Sequence, residues 1–125
     1  MQEERKEKIE VMHTAYNYLE RLEQGIDECA MLFREKQLDK ANEQLVLIVE
    51  GLEWLIDAIS LTSDVREKVI DVTKMTPMLK EIVEAMQNTD VILVADLLYY
   101  EVLENVKEWR SGLGEELLRL DSINM

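Results

Sequence analysis

Val91-Ile92-Leu93-Val94-Ala95-Asp96-Leu97-Leu98-Tyr99-Tyr100 is the most densely apolar stretch of this 125-residue chain. Nine of its ten residues are apolar or aromatic, and Asn88-Thr89-Asp90 stands before it as an opening turn. Read as a helix running to about Trp109, it is apolar nearly all round. A surface helix needs only one apolar stripe, so this one has to be covered on more than one side.

Upstream, apolar residues recur at helical spacing. Ile9, Met12, Tyr16, Leu19, Ile26, Ala30 and Phe33 predict a first helix from Gln2 to Phe33 or Arg34, with Ala15, Leu22 and Cys29 widening its stripe. The first eight residues carry no stripe and are expected to fray or project. Gly25 costs that helix about 1 kcal/mol relative to Ala, which a close crossing there would explain.

After Glu35-Lys36-Gln37, Asp39 is the expected cap of a second helix ending near Ser60. Leu38, Ala41, Leu45, Ile48, Leu52, Leu55 and Ile59 form its main stripe, and Leu47, Gly51, Trp54 and Ala58 a second one beside it. Together they predict a helix buried over most of its circumference, with Gly51 and Ala58 admitting a close neighbour. Leu61-Thr62-Ser63-Asp64 reads as a turn, and Asp64 with Glu67 as a capping pair for a third helix.

Val65, Val69, Val72, Thr76, Leu79, Val83 and Met86 keep a helical period across Pro77, the single proline. Either helix 3 continues with a kink, or it breaks and Pro77 opens a new helix. The preserved period favours two nearly collinear segments. Asn88-Thr89-Asp90 allows only a reversal, so helix 4 returns antiparallel and stops near Ser111-Gly112-Leu113-Gly114. Residues 115–125 are then a short helix or a tail. The expected fold is one all-α domain over residues 1–125, an antiparallel four-helix bundle with helix 3 kinked or broken at Pro77.

Composition narrows the function classes. Net charge is −13, from 27 acidic and 14 basic residues. That disfavours nucleic acid and anionic membrane, which both require attraction to negative charge. The charged N-terminus does not read as a secretion signal, and no apolar run approaches the ~20 residues of a membrane span. The expected setting is a reducing cytoplasm. Cys29, the only cysteine, follows Asp27 and Glu28 on an apolar face and reads as a core residue rather than a reactive thiol.

Catalytic constellations are hard to assemble from these residues. Glu10-Val11-Met12-His13 is one Glu-x-x-His unit, but His13 is the only histidine, so a di-metal carboxylate site lacks its second unit. Hydrolytic triads and Cys/His zinc sites fail for the same reason. Gly112-x-Gly114 precedes acidic residues and follows no strand, unlike a phosphate loop. Asp96 interrupts the apolar run, but on a helical wheel it shares a side with Lys107 and reads as a polar margin. No enzyme activity, metal or cofactor is expected.

The stronger signal is surplus apolar surface on helix 4. Val91, Ala95, Leu98, Val102, Val106 and Trp109, with Ile92 and Tyr99 beside them, supply the core face. Leu93, Leu97 and Tyr100 lie on the opposite side and run into Glu101, Glu104 and Glu108. An apolar patch fading into acid suits a protein partner or a second copy of the chain. The competing expectation is that the tail, through Leu117 and Leu118, folds over it.

Tyr18-Leu19-Glu20-Arg21-Leu22-Glu23-Gln24 followed by Leu38-Asp39-Lys40-Ala41-Asn42-Glu43-Gln44-Leu45 resembles the helix-turn-helix portion of the bacterial flagellin export chaperones. There a stretch like YxFLEQA precedes D-x-x-KANE-x-L. Leu103-Glu104-Asn105-Val106-Lys107-Glu108-Trp109 is similar to that family's terminal LLEELRxxW. The family's tyrosine-bearing arm has no counterpart here, nor does the segment around Pro77 fit it. The resemblance implies a small acidic bundle that holds another protein's helix, and no individual binding residue. The expectation is therefore a non-enzymatic, chaperone-like or adaptor bundle. A self-associating homodimer is the alternative, and a metal- or ligand-binding bundle enzyme stands third.

Overall fold

A computed structural model describes residues 2–123. Helix accounts for 87% of them, with no strand among the described residues, so the chain is an all-α bundle. The order is α1 (Gln2–Arg34), α2 (Leu38–Leu61), a 3₁₀ turn (Ser63–Val65), α3 (Met75–Gln87), α4 (Val91–Asp96), a π-helical turn (Leu97–Val102) and α5 (Leu103–Ile123). The last three are segments of one continuous rod, because Asp96, Leu97 and Leu103 at the junctions all keep helical backbone angles.

The central element is α1. It packs against α2 along one side and against α4, the π turn and α5 along the other, while α3 rests on α4 and the π turn. Its stripe explains this: Met12, Ala15, Leu19, Leu22, Ile26, Cys29, Ala30 and Phe33 are all buried. Residues 2–8, expected to fray, continue the helix. Lys8 ties them down through ion pairs with Asp64 at 2.8 Å and Glu4 at 3.4 Å. Met1, and residues 124 and 125 of the expected tail, lie outside the described residues.

Two tight reversals use the same device. At the end of α1, Lys36 adopts φ 60°, the Gln37 amide donates to the Leu32 carbonyl, and the Lys36 amide donates to Phe33. At the end of α3, Thr89 adopts φ 53°, Asp90 donates to Ala85 and Thr89 to Met86. Both are Schellman terminations built on a residue other than glycine. Asp90 then caps α4 by accepting from the Leu93 amide at 3.1 Å. Asp39 does not cap α2; Gln37 holds that position without a side-chain bond, and Asp39 sits in the first turn, where its charge favours the helix dipole.

The first half of the expected helix 3 is not a helix. After the 3₁₀ turn, residues 66–74 form an irregular strap laid along α5. Five β-branched residues within 65–73 weaken helix there despite the preserved period. Pro77 falls in the first turn of α3, where a missing amide costs no helical hydrogen bond. The expected stop at Gly112-Leu113-Gly114 is also overturned, since α5 runs through both glycines to Ile123. They serve close packing instead: a Cβ on Gly112 would meet Ile70 of the strap at 3.1 Å, and one on Gly114 would meet the Tyr16 ring at 3.0 Å.

Candidate functional site

The strap is held by a polar anchor on α5. Buried Glu116 accepts hydrogen bonds from the backbone amides of Glu67 and Lys68, and from Arg119 Nε at 2.8 Å. Arg119 also donates to the Val65 carbonyl at 3.3 Å. Further along, the Trp109 indole donates to the Asp71 carbonyl at 3.1 Å. The Arg119 hydrogen bond and the two amides outweigh burial and pull the Glu116 pKa from 4.5 to about 2. A carboxylate with two amides and a guanidinium is fully satisfied, so this is structural equipment rather than a reacting group. Nothing in the sequence beyond the Glu116/Arg119 spacing pointed to it, because its partners are backbone amides of a segment read as helical.

The rod's apolar excess is covered on two sides, by α1 and by α3. Of the expected core face, Ala95, Leu98, Val102, Val106 and Trp109 are buried and Val91 is half-buried; Val94 is buried with them. Leu97, placed by the wheel on the free back side, is only 6% exposed. The correction has two causes. α3 lies against this part of the rod, and the π turn inserts an extra residue, so the buried pair Leu97/Leu98 is followed by Val102/Leu103 five positions on. The insertion turns Tyr99, Tyr100 and Glu101 outward together. Tyr99 and Ile92, expected beside the core, are exposed. Of the expected interface residues, Leu93 is 42% and Tyr100 64% exposed, and Glu101 and Glu104 face solvent. Residues 115–123 continue straight on as helix, burying Leu117 and Leu120, and so do not fold back over this face.

Asp96 sits at the margin of that patch, half-exposed, 3.3 Å from Arg34. Arg34 also lies over the Tyr99 ring at 5.7 Å, and Tyr99 meets Tyr100 edge-on at 5.0 Å. Cys29 is fully buried, and burial pushes its thiol up to about 12. Glu10 and His13 are both exposed, with His13 3.9 Å from Asp121. Among the described residues no three His, Cys, Asp or Glu side chains converge on a point that could hold a metal ion. An open cleft of about 780 Å³ separates α1 from α5 beside His13 and Tyr16. Arg110 lies over the Tyr16 ring there and pairs with Glu23 at 3.1 Å. No helix among the described residues is long and apolar enough to cross a membrane.

The second stripe of α2 gives the most distinct surface. Expected to be buried, it instead borders a groove of about 460 Å³ shared with α1. Leu47 is 64% and Trp54 43% exposed, while Gly51 between them and Ala58 beyond are buried. Tyr18 of α1 lies on Gly51, where a Cβ would collide with its phenol, and meets Trp54 edge-on at 6.1 Å. Arg21 lies over the Tyr18 ring at 5.7 Å and forms part of the α1 wall. The groove thus has an apolar, aromatic floor, with Glu50, Arg21 and Thr14 at its sides.

No curated protein and no solved structure matches the chain. One family model, described as "Domain of unknown function (DUF8042)", matches residues 10–112, which takes in most of α1, all of α2, the strap, α3, the π turn and the first half of α5. By that match the chain is a member of the DUF8042 family.

Proposed function

We propose that this protein is a non-enzymatic helical bundle that holds a helical segment of a partner protein, acting as a chaperone-like or adaptor molecule in the cytoplasm. The groove between α1 and α2 carries this reading. Leu47, Trp54 and Tyr18 present an apolar floor bordered by charged residues, the arrangement in which an amphipathic helix seats its anchors. Burying an exposed leucine or aromatic side chain contributes about 1.5–3 kcal/mol, so a few anchors are enough for a reversible complex.

The test is titration with an uncharged amphipathic helical peptide, followed by the emission of Trp54 and assigned with a Trp54→Phe control. Binding should be lost in Leu47→Asp while circular dichroism stays unchanged. A parent protein that responds to no amphipathic peptide refutes the proposal.

A second reading, homodimer formation, is favoured by the π turn, which sets Tyr99 and Tyr100 beside exposed Leu93. Its acidic border at Glu101 and Glu104 opposes close pairing of two copies. Light scattering at micromolar concentration decides: a dimer that Tyr100→Asp converts to monomer supports this reading, and a monomeric parent removes it.

A further inference from the structure

We infer that the occupant of the α1/α2 groove is an amphipathic helix with basic flanks. This rests on the proposed function and adds the partner's chemistry to it. Along α2, the exposed Leu47, Trp54 and Leu61 recur every seven residues, the spacing at which one face of a second helix is met. From Leu47 to Leu61 is 14 steps, about 21 Å at 1.5 Å per residue, or roughly four turns of a partner. Between Leu47 and Trp54 the Tyr18 ring, seated on Gly51, forms the floor of the groove.

The charge around this seam is predominantly negative. α2 carries Asp39, Glu43, Glu50, Glu53 and Asp57 against the single cation Lys40. On the wheel, Glu43, Glu50 and Asp57 lie along the outer edge of the seam. On α1, Glu10 and Glu28 flank Thr14 and Arg21 at helical spacing along the opposite wall, and all four are exposed. Among the described residues Arg21 is the one cation lining the groove, held over Tyr18. A second copy of this chain would set acidic rows against acidic rows, and such like-charge juxtaposition is disfavoured. A helix with Lys or Arg beside its apolar seam meets opposite charge along the α2 edge and, beyond the groove, at Glu10 and Glu28 on α1. The position opposite Arg21 then selects a neutral or acidic residue.

Three peptides of about 15 residues test this, sharing one apolar seam and differing only in flanks of Lys, Gln or Glu, with a scrambled Lys peptide as control. In low salt the Lys peptide should bind about tenfold tighter than the Gln peptide, and high salt should erase the difference. The scrambled peptide should not bind. Glu50→Lys with Asp57→Lys, both at exposed positions, should invert the order in favour of the Glu peptide. Equal binding of the Lys and Gln peptides overturns the charge inference and leaves the groove reading intact. Equal binding of the scrambled and ordered Lys peptides also overturns it, because attraction is then indifferent to the seam. Failure of every peptide overturns both.

Discussion

Glu116 should make the stability of this bundle depend on pH in a way that one substitution removes. Its carboxyl is held at about 2, against 4.5 for an ordinary glutamate. Each unit of that gap is worth about 1.36 kcal/mol, so the anchor contributes on the order of 3 kcal/mol when ionised. The folded-state pKa is the depressed one. The contribution is therefore complete above about pH 5, declines as pH falls below 4.5 and is gone near pH 2. The parent protein alone does not isolate this effect, because protonating 27 carboxyl groups also relieves the repulsion of a −13 charge. The informative quantity is the difference between parent and Glu116→Gln. Glutamine can still accept from the Glu67 and Lys68 amides, but it brings a donor toward the Arg119 guanidinium. Urea unfolding followed by circular dichroism should give a difference of about 3 kcal/mol at pH 7 that shrinks steadily between pH 5 and pH 2.5. Arg119→Met removes the largest cause of the depressed pKa and should move the window to higher pH. A difference that stays constant from pH 6 to pH 2.5 would refute the assignment of the anchor to an ionised Glu116.

Other expectations concern the backbone and the core. Thr89→Gly and Lys36→Gly should each stabilise by about 1 kcal/mol in urea unfolding, because both positions hold a left-handed conformation that costs a side-chain-bearing residue that much. Gly25→Ala should also stabilise, by about 0.5–1 kcal/mol, since its added Cβ would make only an ordinary contact with Gln44 at 3.6 Å. Gly51→Ala should not, because the Tyr18 ring has to leave its place; the readout is a shift in Trp54 emission. Cys29 should resist a thiol reagent in the native protein and react only at the rate of opening, as a buried thiol pushed up to about 12 requires.

The helices were legible where burial and period coincide. The eight buried positions of α1 follow a 3–4 spacing from Met12 to Phe33, and its end agreed with the expectation to within a residue. The strap was not legible because Val65, Val69 and Val72 happen to keep that period. The contrary signal, five β-branched residues within 65–73, is one of propensity, which tertiary contacts commonly override. Gly112 and Gly114 were misread because glycine serves both to end a helix and to admit a neighbour, and only the positions of Ile70 and Tyr16 decide between them. A π turn has no sequence period of its own, so a regular helical wheel puts Leu97 on the wrong side of the rod. The second stripe on α2 was recognised, but whether such a stripe is core or groove depends on how many neighbours the helix has, and α2 packs chiefly on α1.

The two Schellman reversals have a kinetic consequence. Each closes a helical hairpin through a connection of three residues, α1 with α2 and α3 with the rod, so each half of the chain can form through contacts close in sequence. The contacts between halves are of a different kind: Arg110 with Glu23 joins residues 87 positions apart, and the strap's bonds to Trp109 and Glu116 close 38 and 49 positions. Loop closure makes those the slow ones. Two fast-forming hairpins should therefore dock late, with the strap closing last. Substitutions at Glu116 should then speed unfolding and leave the refolding rate nearly unchanged.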